Sequence, residues 1–173
     1  MNELWDILDE NGNKTGRLHK RGKPMADGDF HLVVHVWIVN SKGEFLISKR
    51  TANKNFPLMW ECTGGSAVAG DDSLTTALKE VREELGIELK HENGEMFTSL
   101  KRYCGGCGGY DFVDVWVFRQ DISVDDIIFQ PDETCDAMWA SKHKIIKMID
   151  EGSFMDNQFY TYIDKLFAYI GGQ

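Results

Sequence analysis

Three glutamates are the residues of this chain that are best placed to do chemistry. Glu80, Glu83 and Glu84 stand at positions i, i+3 and i+4, and residues at these spacings are neighbours on the surface of an α-helix. Like charges so placed repel each other by about 0.2–0.5 kcal/mol per pair, so helix stability alone does not favour them. Clustered carboxylate oxygens are the ligands that Mg²⁺ prefers. The spacing therefore indicates a divalent-cation site, although the same pattern is also typical of a solvated acidic helix face.

The segment that carries these glutamates has the pattern of a helix that follows a glycine turn. Apolar residues recur with helical periodicity at positions 74, 77, 78, 81 and 85. Asp71, Asp72 and Ser73 offer side chains that can cap the first turn, and Gly86 suits the end of the helix. At about 100° per residue, the acidic stripe lies roughly 120° around the helix from the apolar stripe. The sequence therefore predicts a helix over 74–85 with its apolar residues and its carboxylates on different faces.

The loop and the helix together resemble the Nudix box, G-x5-E-x7-R-E-U-x-E-E-x-G-U, in which U is an aliphatic residue. Gly65 opens the pattern, Asp71 follows after five residues, and the segment 79–87 (KEVREELGI) comes after seven more. Seven of the nine specified positions match, and the two departures, Asp71 for glutamate and Lys79 for arginine, keep the charge. The chain is thus similar to Nudix hydrolases, and its flanking strand order extends the similarity from about His31 to the end.

This resemblance implies a fold and an activity. The fold would be of the α+β class, a Nudix-type α/β/α sandwich with a mixed β-sheet. The activity would be the hydrolysis of a diphosphate bond, dependent on Mg²⁺ or Mn²⁺, in a nucleoside diphosphate derivative or a similar small molecule. Glu80, Glu83 and Glu84 would bind the metal, with Glu83 and Glu84 serving catalysis. Backbone groups near Gly64 and Gly65 would complete the site for metal and phosphate.

The two departures from the box bear on how firmly the site is held. In the Nudix family the box arginine orients the metal-binding glutamates. Lys79 lacks the planar, bidentate fork of an arginine, and Asp71 is one methylene shorter than the family's glutamate. We therefore expect a less rigid site, in which Lys79 is able to reach Glu83 and Asp71 anchors the loop with a reduced reach.

Residues outside the box are predicted to complete the substrate site. Arg50 and Lys54 could meet the distal phosphate, or they could be a pair of surface cations. In the family the general base is a box glutamate in some members and lies on a downstream loop in others. Glu133 is predicted for that role here, although an exposed acidic loop fits the same segment. His31 and His35 share one side of a predicted strand, and His31 is predicted to contact the substrate or to be packed.

The N-terminal half is similar to a second branch of the superfamily, the isopentenyl diphosphate isomerases. The similarity rests on Trp5, Asp9, Thr15-Gly16, Phe30-His31-Leu32, Trp37, Lys49-Arg50, Lys54 and Trp60. The isomerase works with a cysteine in a Cys-Gly-His-Pro turn, whereas this chain has Gly64-Gly65-Ser66 there and Cys62 is displaced from the cysteine position. The site residues thus favour a hydrolase, because function follows the site rather than the fold. The alternatives are an isomerase-like enzyme and a non-catalytic module that binds a phosphate ligand.

Composition narrows the classes of partner. The formal net charge is −9, whereas binding to the backbone of long nucleic acid needs a basic face. A small diphosphate substrate is compatible with this charge when divalent cations lie between carboxylates and phosphate. No apolar run approaches the roughly 20 residues that span a bilayer, and the N-terminus lacks a signal-peptide pattern, so a cytoplasmic location without membrane contact is expected. Cys104 and Cys107 are expected to be free thiols, with a redox role as the weaker alternative.

The expected strands and helices form one domain over 1–173, with an N-terminal hairpin extension over 1–30 and a core over 31–173. Asn11-Gly12 predicts the turn of that hairpin, which could also pair two copies as a homodimer. Strands are expected at 5–9, 14–18, 31–40, 44–49, 60–63, 96–103, 112–118 and 137–140, and helices at 74–85, 141–150 and 157–170. Such a mixture is typical of a mixed sheet with helices packed on it.

Overall fold

A mixed β-sheet and three α-helices form the described part of the chain, which comprises residues 3–104, 109–155 and 158–172 of the computed structural model. The nine strands are β1 (Leu4–Leu8), β2 (Lys14–Lys20), β3 (Phe30–Val39), β4 (Phe45–Arg50), β5 (Trp60–Glu61), β6 (Thr63–Ser66), β7 (Gly94–Cys104), β8 (Gly109–Arg119) and β9 (Thr134–Ala140). The helices are α1 (Ser73–Leu85), α2 (Lys142–Asp150) and α3 (Ile163–Gly171), and short 3₁₀ turns lie at His91–Asn93 and Val124–Asp126. The expected α+β class with a mixed sheet is confirmed.

Strand β3 is central because it is apolar and β-branched along most of its length. It pairs in parallel with β8 over its whole span, Phe30–Val39, and pairs antiparallel with β4 and β6. Successive side chains of a strand point to opposite faces, so Trp37 is buried on one side and Val36 and Ile38 are buried on the other. Both faces of this strand are therefore covered by other elements.

Helix α1 covers one face of the sheet, and α2 and α3 cover the other. Ala77, Val81 and Leu85 of α1 are fully buried in one hydrophobic cluster. Ile145 of α2 and Leu166 of α3 are fully buried in a second cluster on the opposite face. The molecule thus has the three layers of the expected α/β/α sandwich, and its acidic helix α1 packs alone on one face of the sheet.

The ends of α1 lie where the sequence indicated. The Asp72 carboxylate accepts a hydrogen bond from the backbone N–H of Thr75 at 2.7 Å, so it caps the first turn. Gly86 ends the helix with φ 66°, a left-handed conformation that glycine adopts without steric cost, and its N–H donates to the Arg82 carbonyl. These two caps fix the start and the end of the helix, and with them the positions of its glutamates.

The helix expected at 157–170 begins later than predicted, at Ile163. Residues 158–162 form turns instead, and two tyrosine hydroxyls in this segment are fixed in the core. The Tyr160 hydroxyl accepts a hydrogen bond from the Cys62 N–H, and the Tyr162 hydroxyl lies 2.7 Å from His35 Nδ1. Periodicity alone did not reveal these anchors, so the predicted start of the helix was wrong.

The single strand expected at 60–63 is two short strands that pair with different partners. β5 pairs with β4 at the register Lys49–Trp60, whereas β6 pairs with β3 at the register Val36–Thr63. The chain changes its partner strand at Cys62. This change brings the charged end of β4 and the glycine turn after Thr63 to the same region of the sheet.

The N-terminal hairpin β1–β2 forms as predicted and joins the sheet where Leu8 pairs with Phe30 of β3. Its separation from a core over 31–173 stays a prediction. The expected strands at 96–103 and 112–118 are both present as β7 and β8 and are longer than predicted. The turn between them, with Cys107, lies outside the described residues, as does the Cys104 side chain. None of the helices in the described part is long and apolar enough to cross a membrane.

Candidate active site

A cleft of about 420 Å³ opens beside β3, between the loop 51–59 and the segment that precedes α3. Its lining includes Trp5, His31, His35, Arg50, Lys54, Phe56, Glu61, Cys62, Gly64, Gly65, Arg102, Asp111, Phe159 and Tyr160. All five residues predicted outside the α1 helix to bind substrate are in this set: His31, Arg50, Lys54, Gly64 and Gly65. The structure therefore brings together residues that are far apart in the sequence.

The three α1 glutamates differ in their environment. Glu84 is buried, Glu80 is half-buried and Glu83 is exposed. Burial raises the pKa of Glu84 well above its usual range, and the neighbouring Glu61 carboxylate raises it further. Burial and the nearby Glu83 raise the pKa of Glu80 to about 7. The stripe therefore includes carboxylates whose charge is poorly compensated by the protein.

Glu61 is a fourth carboxylate at this site, and it was missed from the sequence. It lies in β5, and both of its oxygens accept hydrogen bonds from Arg50 Nη1, at 2.7 and 2.8 Å. Burial raises the pKa of Glu61, and Arg50 counteracts that shift. The available signal was a charged residue between Trp60 and Cys62 in a predicted strand, where an apolar residue is expected.

Lys54 links the helix to the loop that precedes β9. Its Nζ lies 3.8 Å from Glu84 Oε1 and forms an ion pair with Glu133 Oε2. The side chains of Arg50 and Lys54 are only 14% and 20% exposed, so neither is an ordinary surface cation. Glu133, the predicted base, is 41% exposed and reaches this site through Lys54. Arg50, Lys54 and Glu61 thus line one end of the cleft, and Glu84 and Glu133 are connected to it through Lys54.

Two glycines leave the backbone close to its neighbours at this end. A methyl group at Gly64 would overlap the backbone carbonyl oxygen of Val34 on β3. A methyl group at Gly65 would instead overlap the carboxylate of Glu80. Gly65 therefore lets the glycine turn pass directly against a predicted metal ligand.

The two residues that depart from the box bind each other. Lys79 Nζ forms an ion pair with Asp71 Oδ2 at 2.7 Å and donates a hydrogen bond to the same oxygen. The expected reduced reach of Asp71 is thus offset by the long side chain of Lys79. The lysine is engaged with the loop before α1, and this pair fixes the loop to the helix.

His31 and His35 face the cleft from β3, as their spacing predicted. The His31 ring stacks on Trp5, with ring centroids 4.2 Å apart, and burial lowers its pKa. Burial lowers the pKa of His35 to about 3, so it is neutral at pH 7. Trp37 Nε1 donates to the Tyr162 hydroxyl at 2.9 Å, and the same hydroxyl is hydrogen-bonded to His35 Nδ1 at 2.7 Å. Both histidines are uncharged hydrogen-bonding groups of the cleft wall.

Cys62 is buried beside these residues and does not act as a thiolate. Burial raises the pKa of its thiol, and its Sγ donates a weak hydrogen bond to the Tyr160 hydroxyl at 3.7 Å. A reactive cysteine needs an environment that lowers its pKa. Cys62 therefore does not replace the cysteine of the isomerase turn.

The acidic residues match a divalent cation in chemical type. Among the residues that the structure describes, no group of three or more His, Cys, Asp and Glu side chains converges as a preformed metal centre. The donor set on α1 is nevertheless made of carboxylates alone, and burial together with neighbouring carboxylates raises the pKa of Glu80 and of Glu84. Hard cations such as Mg²⁺ take oxygen ligands of this kind.

Comparison with known proteins agrees with this geometry. The family model described as NUDIX domain matches residues 29–162. The chain is 35% identical to the Uncharacterized Nudix hydrolase lin0387 of Listeria innocua, over 95% of this chain and 94% of that protein. It is 23% identical to the Isopentenyl-diphosphate Delta-isomerase of Escherichia coli, over 83% of this chain and 80% of that enzyme.

The fold is also found among solved structures. DR0079 from Deinococcus radiodurans superposes with a TM-score of 0.75 at 21% identity, covering 94% of this chain and 98% of that protein. The box, the family match over most of the chain and the shared fold agree with one another. This chain belongs to the Nudix hydrolase family.

Proposed function

We propose that this chain hydrolyses the diphosphate bond of a small molecule, a nucleoside diphosphate derivative, in a reaction that depends on Mg²⁺ or Mn²⁺. The observation that carries the proposal is the pairing of Lys54 with Glu84 next to the pairing of Arg50 with Glu61, because both cations line the cleft. Carboxylate oxygens at this site can bind a divalent cation, and the charged side chains of Arg50 and Lys54 can bind phosphate oxygens. A diphosphate bound through both would lie across this end of the cleft.

Glu80, Glu83 and Glu84 are the residues that would hold the cation. They come from one helix, and their unequal exposure places Glu84 deepest and Glu83 at the surface. A cation bound there would shield the phosphate oxygens and lower the pKa of bound water. Neutralising the repulsion among these carboxylates favours binding of a cation over the empty helix.

Arg50 is the residue best held for contacting phosphate. Glu61 accepts two hydrogen bonds from its Nη1, and its Nε donates to the Asn55 carbonyl at 2.8 Å. These contacts fix the planar guanidinium before any substrate arrives, so little side-chain entropy is lost on binding. Glu61 thereby acts as a positioning residue for Arg50.

Glu133 is our candidate for the general base. It lies on the loop before β9 and reaches the site through Lys54. When Lys54 turns to a bound phosphate, the Glu133 carboxylate is released and can accept the proton of an attacking water. The same movement of Lys54 would bring its positive charge to the phosphate and make the Glu133 carboxylate available as a base for the water.

The isomerase alternative lacks its reactive group at the site. The cysteine and histidine of the isomerase turn are replaced by Gly64 and Ser66, and Cys62 is a buried, protonated thiol. A non-catalytic module would not need the Glu83–Glu84 pair, and this pair is intact. The residues therefore favour hydrolysis over both alternatives.

The proposal is tested by measuring phosphate release from a panel of substrates with and without Mg²⁺. The panel contains nucleotide sugars, dinucleoside polyphosphates, nucleoside triphosphates and isopentenyl diphosphate, with alkaline phosphatase as the coupling enzyme wherever the substrate resists it. We expect Mg²⁺-dependent release from at least one nucleoside-containing member. Release from none, by protein that binds Mg²⁺, would contradict hydrolysis, and isopentenyl diphosphate would then be assayed for isomerisation.

Lys54→Met is expected to tighten Mn²⁺ binding in the absence of substrate by about tenfold, or about 1.4 kcal/mol. The lysine ammonium lies among Glu84, Glu133 and the other site carboxylates, so it competes with a dication for their charge. The affinity is measured by electron paramagnetic resonance of free Mn²⁺. Lys49→Met is the matched control, because Lys49 lies on the same strand end but against Trp60. An unchanged or weaker Mn²⁺ affinity in Lys54→Met would show that Lys54 does not compete with the cation.

A further inference from the structure

A second arginine lines the cleft together with Arg50, and it is paired with a buried carboxylate. Arg102 of β7 donates from Nε and Nη2 to the two oxygens of Asp111 on β8, at 3.1 and 2.8 Å. The Arg102 side chain is 11% exposed and that of Asp111 is 1% exposed, and both residues line the cleft. Removing an ion pair from water is costly, and apolar residues of similar volume are often at least as stabilising. Stability therefore does not account for an ion pair at this position in the cleft.

The contacts of Arg102 leave part of its hydrogen-bonding capacity unused. A guanidinium carries five N–H groups, and the Asp111 carboxylate accepts hydrogen bonds from two of them. The Phe159 carbonyl accepts from a third, on Nη1 at 3.4 Å, and Arg102 Cζ lies 5.7 Å from the centroid of the Phe159 ring. Among the described residues none accepts from the other two, one on Nη1 and one on Nη2. Arg102 is therefore held in place with two donors left for a ligand.

The charge of Arg102 acts on the cleft wall despite the neighbouring carboxylate. Burial lowers the pKa of His35 to about 3, and the positive charge of Arg102 contributes to the same shift. At His31 burial again lowers the pKa, but there the Asp111 carboxylate acts in the opposite direction and more strongly than Arg102. The positive end of the ion pair is thus directed to His35 and its negative end to His31. An anionic group is therefore favoured on the His35 side of the pair.

Arg50 and Arg102 are connected through aromatic residues of the cleft. Arg50 Nε donates to the carbonyl of Asn55. The next residue, Phe56, meets Phe159 edge-on with ring centroids 5.4 Å apart, and the Phe159 carbonyl accepts from Arg102. Two guanidinium groups, each fixed by a carboxylate and a backbone carbonyl, therefore line one cleft. A ligand that fills this cleft can reach both of them.

We propose that Arg102 binds a second phosphate group of the substrate, separate from the diphosphate that Arg50 and Lys54 bind. The place of the diphosphate rests on the proposed function, whereas the Arg102 subsite rests on its own contacts. A fixed guanidinium loses little side-chain entropy on binding, and its remaining N–H groups can donate to phosphate oxygens. The substrate class that follows is a diphosphate whose remainder carries a further phosphate. The Arg102 contact would then fix which end of the molecule faces the α1 carboxylates.

Straight-chain alkanediol bisphosphates test this subsite, because a spacer without a base or a sugar joins their two phosphates. Calorimetric titration of metal-free protein compares the bisphosphates of terminal butane-, hexane- and octanediols with the corresponding monophosphates. We expect at least one bisphosphate to bind about tenfold or more tightly than its monophosphate, the scale of a hydrogen bond between charged groups. The absence of any preference at all three spacer lengths would overturn the proposal.

Replacing the whole ion pair removes the subsite without leaving a buried charge. The double variant Arg102→Leu with Asp111→Leu should lose the preference for the bisphosphate, while its monophosphate affinity changes by less than about twofold. Arg102→Lys keeps a charge for Asp111 but lacks the planar fork, and it should lose at least about threefold of the preference. This single variant gives the answer if the double variant does not fold. An undiminished preference in the folded double variant or in Arg102→Lys would overturn the proposal.

The ion pair of Arg17 and Asp29 is the matched control. Arg17 also donates from both of its Nη atoms to the two oxygens of a buried aspartate, but neither residue lines the cleft. Arg17→Leu with Asp29→Leu should therefore keep the full preference for the bisphosphate. Loss of the preference in this control as well would show a general effect of the substitutions and would equally contradict the subsite.

Two further comparisons separate the subsite from other forms of phosphate binding and from hydrolysis. Equal losses for monophosphate and bisphosphate in the Arg102 double variant would indicate one shared phosphate site and would overturn the proposal. The probes contain no diphosphate bond, so the titration is independent of the hydrolysis panel. A preference without any hydrolysis would contradict only the proposed activity, and hydrolysis without a preference would contradict only the Arg102 subsite.

Discussion

Replacement of Glu83 or Glu84 by glutamine is expected to lower kcat at saturating Mg²⁺ by at least about 100-fold, the scale for loss of a group that acts directly in catalysis. Glutamine keeps the shape of each side chain and removes the charge that the proposed cation needs. The two variants should share this catalytic loss, because both carboxylates belong to the proposed metal site. They should differ in stability, because Glu84 is buried and Glu83 is exposed.

The stability of the metal-free protein separates the two substitutions. The pKa of Glu84 in the folded protein is raised by burial and by Glu61, so the folded state binds its proton more tightly than the unfolded chain does. The protonated Glu84 carboxyl therefore stabilises the folded protein at acidic pH. This contribution is lost as pH rises above the ordinary pKa of glutamate, and the ionised form destabilises the folded protein. Glu84→Gln should raise the Tm of metal-free protein, more so at alkaline than at acidic pH. Glu83→Gln should leave that Tm unchanged.

The controls separate a metal site from a general effect of charge. Glu88→Gln removes an exposed carboxylate just beyond the helix and should change neither kcat nor Tm. Mg²⁺ should raise the Tm of wild type through preferential binding to the folded state, and it should raise the Tm of both site variants less. Full activity in Glu83→Gln and Glu84→Gln would refute the assignment of the metal site to this helix.

The sequence was sufficient to predict the helix and its acidic stripe because both depend on local spacing. The cap at Asp72, the end at Gly86 and the apolar face follow from residues within one segment. The order of burial also follows from spacing, since at about 100° per residue Glu84 lies nearest to the apolar stripe and Glu83 lies opposite to it. The contact between Lys54 and Glu84 does not follow from spacing, because a helical wheel contains no information about a loop distant in sequence.

Glu61 and Phe56 show two further limits of sequence patterns. Glu61 becomes a site residue only because the chain changes strand partners at Cys62, which places it against Arg50 on β4. The positive φ of Phe56 could not be predicted either, since neither phenylalanine nor a following proline favours that conformation. Neither the contact of Glu61 nor the conformation of Phe56 can be deduced from local spacing.

Alanine substitutions at the adjacent glycines Gly64 and Gly65 are expected to fail in opposite ways. At Gly64 the added methyl group would overlap the Val34 carbonyl, a backbone atom fixed in the β3–β6 pairing. Gly64→Ala should therefore lower the free energy of unfolding by about 1–3 kcal/mol, as overpacking commonly does. At Gly65 the methyl group meets the Glu80 carboxylate, which can rotate away on a flexible side chain.

Gly65→Ala should consequently keep its stability and lose its metal site. Displacing Glu80 takes one carboxylate from the proposed ligand set, and we expect Mn²⁺ affinity and kcat each to fall by about tenfold or more, the loss typical when groups that support a metal site are altered. Urea unfolding of metal-free protein and Mn²⁺ titration measure the two properties separately. Gly70→Ala, in the loop between β6 and α1, offers a comparison, because a side chain at its φ of 97° strains the backbone while no atom lies within 4 Å of the added methyl group. If Gly65→Ala lost stability as Gly64→Ala does while its Mn²⁺ affinity stayed unchanged, Gly65 would serve the fold alone, and the close approach of the glycine turn to Glu80 would have no part in metal binding.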